Sequence, residues 1–221
     1  MKSFNETWEK IHNQLEWGKY PSENVIRFIA RNYYQTQRDK VKILDFGCGA
    51  GANTWFLARE GFDVYAFDGS STAIEKAKQY LASERCGNVH FSVMDGTMLD
   101  YPDDFFDCVV DNVCICANTY PHIRRMYQEI FRIMKNGGKL YSSCFGPKTE
   151  GFRTGTYLEN GTYEDIEKGV LANRGTAHIY TEQEFVQTLE ETGFSNIHID
   201  VIQYTDDGKA VEMFMAKAEK A

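Results

Sequence analysis

The residues best suited to chemistry cluster between positions 45 and 113. Gly47-Cys48-Gly49-Ala50-Gly51 follows a short apolar run and opens a helix-forming stretch. Glycines there permit tight backbone turns and close approach of a ligand. A helix N-terminus adds free N–H groups and a partial positive charge. Such a loop suits a phosphate or a carboxylate, although many loops contain glycines. Asp68 sharpens the reading. It lies 17 residues past Gly51, at the tip of the next apolar run. A carboxylate there can accept both hydroxyl protons of a ribose diol. Its alternative role, capping the following helix, can be filled by Ser70 or Ser71. Asp45 sits two residues before the first glycine. It would face a pyrophosphate badly, yet it suits a ligand bearing ammonium and sulfonium charge. Asp95-Gly96 ends a third run and offers an acceptor to an adenine amino group, or else simply turns the chain. Gly47 to Ala52 also satisfies the dinucleotide pattern G-x-G-x-x-A, so a second nucleotide class competes.

These residues need a scaffold that brings strand tips together. Apolar runs at 41–46, 63–68, 89–94, 106–113 and 139–145 read as strands. Stretches at 53–60, 71–83 and 122–135 read as helices between them, the last ended by Asn136-Gly137-Gly138. Strands alternating with helices imply crossovers and a parallel sheet, with ligands at the carboxyl ends of the strands. Upstream, Phe4, Trp8, Ile11 and Leu15 recur at helical spacing over 4–17, and Ser22 caps a second helix. Downstream, Thr181 caps a helix to Thr192. Asp207-Gly208 then sits between two β-rich runs, 196–204 and 210–217, a hairpin signal. The expected class is α/β: a Rossmann-like three-layer αβα sandwich on a mostly parallel seven-stranded sheet with an antiparallel C-terminal hairpin. The 221 residues suit one domain. Within it, 1–38 forms an N-terminal helical cover and 41–145 the cofactor-binding core. Residues 146–180 form an irregular, lid-like insert, and 181–221 the closing helix and hairpin.

Composition excludes several classes. Net charge is −8, which repels phosphate backbones and anionic lipid surfaces, so neither nucleic acid nor membrane is expected as a partner. No apolar run is long enough to span a bilayer. The polar N-terminus is no signal peptide, which makes the cytoplasm the expected location. None of the six cysteines forms a C-x-x-C pair, and no histidine pair has zinc-finger spacing. They read as reduced, buried thiols, and no metal site is expected.

The order of motifs resembles the class I S-adenosylmethionine-dependent methyltransferases. Val41 to Gly51 is similar to their glycine-rich first motif. Asp68, Asp95-Gly96-Thr97 and Phe106 to Val110 follow in the family's order. Glu129 to Leu140 resembles its E-x-x-R-x-L-K-P-G-G-x-L stretch, with Asn136 in place of proline. The resemblance covers about residues 41–217 apart from the insert. It implies S-adenosylmethionine as cofactor and S-adenosylhomocysteine as product. It also implies a cofactor site of Asp45, Gly47, Cys48, Gly49, Gly51, Asp68, Gly69, Ser70, Asp95, Gly96, Thr97, Asn112 and Val113. Many small-molecule members carry a leucine-histidine-histidine-like run after the fourth strand. Asp111 to Ala117 departs from it, so acceptor preference does not carry over.

The implied reaction is methyl transfer to a small molecule by in-line displacement at the sulfonium methyl. A general base is needed only where the nucleophile enters protonated. His122, His178 and Asp111 are the candidates, each also readable as structural. Trp17 and Tyr20, with Tyr157, Tyr163 and Tyr180 of the insert, are candidates for covering the site and lining an acceptor pocket. The rival readings are an NAD(P)-dependent oxidoreductase and a nucleotide-binding regulatory protein without catalysis.

Overall fold

The computed structural model describes residues 3–16, 18–86 and 89–221. Helices α1 (Glu6–Gln14) and α2 (Glu23–Tyr33) precede the sheet. Strands and helices then alternate: β1 (Lys42–Phe46), α3 (Ala52–Arg59), β2 (Asp63–Asp68), α4 (Ser71–Ser83), β3 (Val89–Val93), β4 (Phe106–Asn112), α5 (Tyr120–Ile133) and β5 (Met134–Phe145). Three short strands follow, β6 (Thr156–Glu159), β7 (Thr162–Glu164) and β8 (Ala177–His178). Helix α6 (Glu182–Thr192) and the hairpin β9 (Phe194–Asp206) and β10 (Lys209–Lys220) close the chain.

The main sheet has the order β3-β2-β1-β4-β5-β10-β9. Neighbours among the first five strands are parallel, and β10 runs antiparallel to both β5 and β9. This is the expected Rossmann-like α/β architecture. Alternation along each strand builds the layers. Leu44 and Phe46 of β1 pack with Ile123 and Ile130 of α5 and with Phe185 of α6. Ile43, the residue before Leu44, points to the other side and packs with Val25 and Phe28 of α2 and Leu57 of α3. Each such buried aliphatic side chain contributes about 1.5–3 kcal/mol. From the carboxyl ends of β1 and β4, neighbouring parallel strands at the middle of the sheet, the connections leave in opposite directions, and a crevice opens there.

Three expectations need correction. Helix α1 stops at Gln14, because Leu15 is already extended (φ −116°, ψ 142°). Helix α5 stops at Ile133, and the next strand starts at once. Met134 is extended and pairs with Phe106, then pairing slips and resumes at Cys108 with Lys139. The intervening Asn136-Gly137-Gly138 is thus an irregularity inside the ladder, with Gly137 at φ +75°. The insert is also more ordered than its composition suggested. β6, β7 and β8 form an antiparallel sheet over a small core of Phe152, Ile166, Leu171 and Ile179. Asn160 (φ +39°) and Gly161 (φ +74°) turn the β6–β7 hairpin. An Asn-Gly pair between β-prone residues is the signal that would have found it.

Among the described residues, no helix is long and apolar enough to cross a membrane.

Candidate functional site

Beyond Phe46 the chain turns through Gly47 (φ +65°), Gly49 (φ +53°) and Gly51 (φ +90°), a left-handed region that side chains resist. The three glycines serve different contacts. A Cβ on Gly47 would lie 2.0 Å from Cys114 Sγ, and one on Gly51 would lie 2.9 Å from Ala77 Cβ of α4. Both positions are small because the protein packs against itself there. A Cβ on Gly49 would make only an ordinary 3.6 Å contact with His12 Cε1. Hence Gly49 is the loop glycine whose Cα side faces His12 and the crevice.

Asp68 ends β2 beside this loop. The Gly49 N–H donates to one carboxylate oxygen at 2.9 Å and the Ser70 N–H to the other at 2.8 Å. Each oxygen accepts one bond and keeps a further lone pair. Burial raises the Asp68 carboxyl above its ordinary range, against the pull of these N–H donors and of His12. Asp95, past β3, is held more tightly. It accepts from the Ser3 N–H and hydroxyl at 2.6 and 2.7 Å, and from the Thr97 N–H and hydroxyl at 2.9 and 2.6 Å. Burial opposes its ionisation, yet the bonds from Thr97 and Ser3 hold its carboxyl far below the usual range.

Two further acids lie behind the crevice. Asp45 is buried under the loop and accepts the Thr54 hydroxyl at 2.5 Å. Burial pushes its carboxyl up to about 7. Asp111, also buried, accepts the Ser142 hydroxyl at 2.6 Å and the N–H groups of Cys114 and Ile115 at 2.9 and 3.1 Å. Burial pushes it up to about 6. Its two backbone bonds clamp the turn in which Val113 takes φ +65°. A β-branched residue there is strained by roughly 1–3 kcal/mol, and such strain gathers at functional turns.

A cavity of about 450 Å³ spans these strand tips. Of the residues expected from the sequence, Gly47, Gly49, Asp68, Gly69, Asp95, Gly96, Asn112 and Val113 line it. The others are placed elsewhere. Cys48 is buried against Ala66 and Ile74, and Gly51 packs on α4. Ser70 caps α4 by accepting the Ala73 N–H at 3.0 Å, and Thr97 braces Asp95. Asp45 and Asp111 support the loops from behind.

The three candidate bases lie away from the cavity. Asp111 is fully buried and spent on the turn. His178 is buried in the insert, bonded to the Thr162 hydroxyl at 2.9 Å and packed on Tyr120 and Tyr180. Burial lowers its imidazole to about 4. His122 sits in the first turn of α5 beside the Thr119 hydroxyl, 3.2 Å away. None of the three lines the cavity. The expected cover residues also fall outside it. Tyr20 is 81% exposed and edges against Trp55. Tyr157 is exposed, Tyr163 packs on Phe152, and Tyr180 is buried against Phe185. Trp17 lies outside the described residues.

The N-terminal cover instead comes from Phe4, Trp8 and His12, which line the cavity from α1 and the segment before it. Phe4 lies on Gly69, where a Cβ would come within 2.1 Å of its ring. Trp8 and His12, four apart, share one face of α1, with ring centroids 6.3 Å apart. That spacing was visible in the sequence, but it reads equally as core packing. The far wall, with Phe145, Tyr204, Asp206 and Met213, comes from β5 and the hairpin. No local pattern marks those residues as site-facing. Among the described lining residues there is no lysine or arginine, while Asp68, Asp95 and Asp206 contribute carboxylates. Such a crevice suits a nucleoside with a cationic centre and opposes a pyrophosphate.

A Rossmann-like sheet closed by an antiparallel hairpin, with acids at the tips of β2 and β3 around a glycine turn, defines a nucleoside-binding α/β fold. The chain belongs to the class I S-adenosylmethionine-dependent methyltransferases. Residues 43–138 match the family model described as "Methyltransferase domain". The sterol 24-C-methyltransferase of Yarrowia lipolytica is 30% identical over 76% of this chain and 41% of its own length. The malonyl-[acyl-carrier protein] O-methyltransferase of a Paenibacillus species is 27% identical over 71% of this chain and 56% of its own. A SAM-dependent methyltransferase structure from Methanosarcina mazei superposes with a TM-score of 0.72 at 29% identity, covering 87% of this chain and 96% of that one. The chain spans about two fifths to just over half of the first curated relatives it matches.

Proposed function

We propose that the chain binds S-adenosylmethionine in this crevice and transfers its methyl group to a small-molecule acceptor. The observation that carries the reading is Asp68. It stands at the tip of β2, beside the glycine turn, with one lone pair left on each oxygen. Those lone pairs suit the two hydroxyls of a ribose. Asp95 and Gly96 would hold the adenine, and Gly47, Gly49 and Val113 the methionine part. When bound, the cofactor supplies an electrophilic methyl on a sulfonium sulfur.

The chain's own contribution is binding, alignment and exclusion of water. Carboxylates at 68, 95 and 206 favour a cationic ligand. Phe4, Trp8 and His12 roof the crevice and keep solvent out. Burial lowers the imidazole of His12 despite the pull of Asp68, so this side chain favours the neutral form and can accept a proton from within the cavity. It therefore replaces His122, His178 and Asp111 as the candidate base.

The absence of cationic lining among the described residues counts against the NAD(P) reading. Six free thiols support a reducing, cytoplasmic location. Titration calorimetry with S-adenosylhomocysteine and with NADH tests the assignment. Binding of the first and not the second is expected. The reverse result would defeat it. A screen for labelled-methyl transfer then separates an enzyme from a binding protein without turnover.

A further inference from the structure

The crevice continues past the strand tips that would hold the cofactor. Asn112, Asn118, Phe145, Tyr204, Asp206 and Met213 wall this far end. They come from β4, the connection that follows it, β5 and the hairpin, and these strands lie on the opposite side of β1 from β2 and β3. We propose that this end selects an uncharged, largely apolar acceptor and rejects phosphorylated and carboxylated ones. The proposal rests on the methyltransferase reading and goes beyond it to the acceptor's chemistry.

Recognition of an anion needs a partner. Buried phosphates and carboxylates are met by Arg, Lys or clustered N–H donors. None of the described lining residues is a lysine or arginine. Asp206 adds a carboxylate at the rim, and Asp111 stands buried behind Asn112. An anion entering here loses its water and gains two like charges. Apolar matter fares better against Phe145, Met213 and the ring of Tyr204.

Two amides set the polar contacts. The Ser143 hydroxyl donates to Asn112 Oδ1 at 3.2 Å, which leaves the Asn112 N–H groups as donors. The Asn118 nitrogen donates to the Cys114 and Ile115 carbonyls at 3.3 and 3.2 Å, which leaves Asn118 Oδ1 as an acceptor. One donor and one acceptor fixed on the same wall fit a neutral carbonyl, amide or hydroxyl group. They do not replace a cation.

The test uses protein saturated with S-adenosylhomocysteine and three matched probes: 2-phenylethanol, 2-phenylethyl phosphate and 3-phenylpropionate. Their dissociation constants are measured by competition or calorimetry at pH 7.5. The alcohol is expected to bind about tenfold or more tighter than either anion. Met213→Lys, which adds a cation at the far wall, should narrow or reverse that preference while S-adenosylhomocysteine affinity stays the same. Equal or tighter binding of an anion to the unaltered protein overturns the proposal. So does failure of the alcohol to bind at about 10 mM. Failure of S-adenosylhomocysteine to bind in the first titration removes the cofactor reading and this one with it. Cofactor binding with an anion preference removes only the acceptor proposal.

Discussion

Ser3 and Asp95, 92 positions apart, are joined twice: the Ser3 N–H and hydroxyl both donate to the Asp95 carboxylate, at 2.6 and 2.7 Å. The bond pair ties the start of the chain to the tip of β3. Phe4 then lies on Gly69, and Glu9 of α1 accepts the Thr72 hydroxyl of α4 at 2.5 Å. The N-terminal roof is therefore docked on the same acid that the family resemblance assigns to the adenine.

Asp95→Ala should release this roof. Hydrogen bonds to a charged group contribute about 1.5–3 kcal/mol each, so the docked segment should open far more often. Limited proteolysis should then cleave within residues 3–16 much faster than in the unaltered protein. Hydrogen exchange at α4 should rise little. An unchanged cleavage rate would mean that packing by Phe4 and Trp8 suffices without Asp95.

The glycines of the first loop make a sharper stability prediction. Gly51→Val places a side chain against Ala77 at φ +90°. It should cost about 2 kcal/mol or more, from overpacking together with left-handed backbone strain. Gly61→Ala is the control. Its φ is +87°, but nothing lies within 4 Å of the new Cβ. It should cost about 1–2 kcal/mol, from the backbone alone. Denaturant melts of the two variants, compared at equal m-value, check the difference.

Asp45 gives a pH dependence. Burial holds its carboxyl up to about 7 in the folded chain, against 3.8 as the ordinary value. The folded state thus binds this proton more tightly than the unfolded state. Its contribution is fully present below pH 4 and is lost as pH rises toward 7, with a slope of at most about 1.4 kcal/mol per pH unit. Asp45→Asn should flatten stability over that window and gain relative to the unaltered protein at pH 7 and above. A parallel shift at every pH would show that Asp45 is ionised throughout.

His178→Gln separates structure from catalysis. The imidazole is buried and bonded to Thr162, and burial lowers it to about 4. Because the folded value lies below the ordinary 6.5, its contribution holds above pH 6.5 and is lost as pH falls toward 4. The substitution should lower the melting temperature and reduce this acid sensitivity. Turnover of folded protein should stay within about threefold, since a missing general base typically costs 10²-fold or more. A loss of that larger size would return His178 to the chemistry.

Much of the scaffold was legible from residue patterns because its signals are local. Strand β2, helix α4 and helix α6 fall at the residues where apolar runs and Ser70 or Thr181 caps place them. The acid tips follow from strand ends, so Asp68 and Asp95 were found with the glycine turn. What escaped depends on distant packing. Gly51 looks like a ligand glycine until Ala77 is seen against it, and Gly47 turns out to pack on Cys114 as well as lining the crevice. Tyr163 packs on the insert's own core, Tyr180 belongs to the main core and Tyr157 is exposed, placements that only distant packing decides. His12 lies on an amphipathic helix whose docking face no local pattern reveals.

The most direct measurement is calorimetric titration of S-adenosylhomocysteine into the unaltered chain and into Asp68→Ala. Saturable binding is expected in the first, weakened about tenfold or more in the second by loss of a charge-assisted hydrogen-bond pair. No binding to the unaltered chain, or equal affinity in both, would contradict the account.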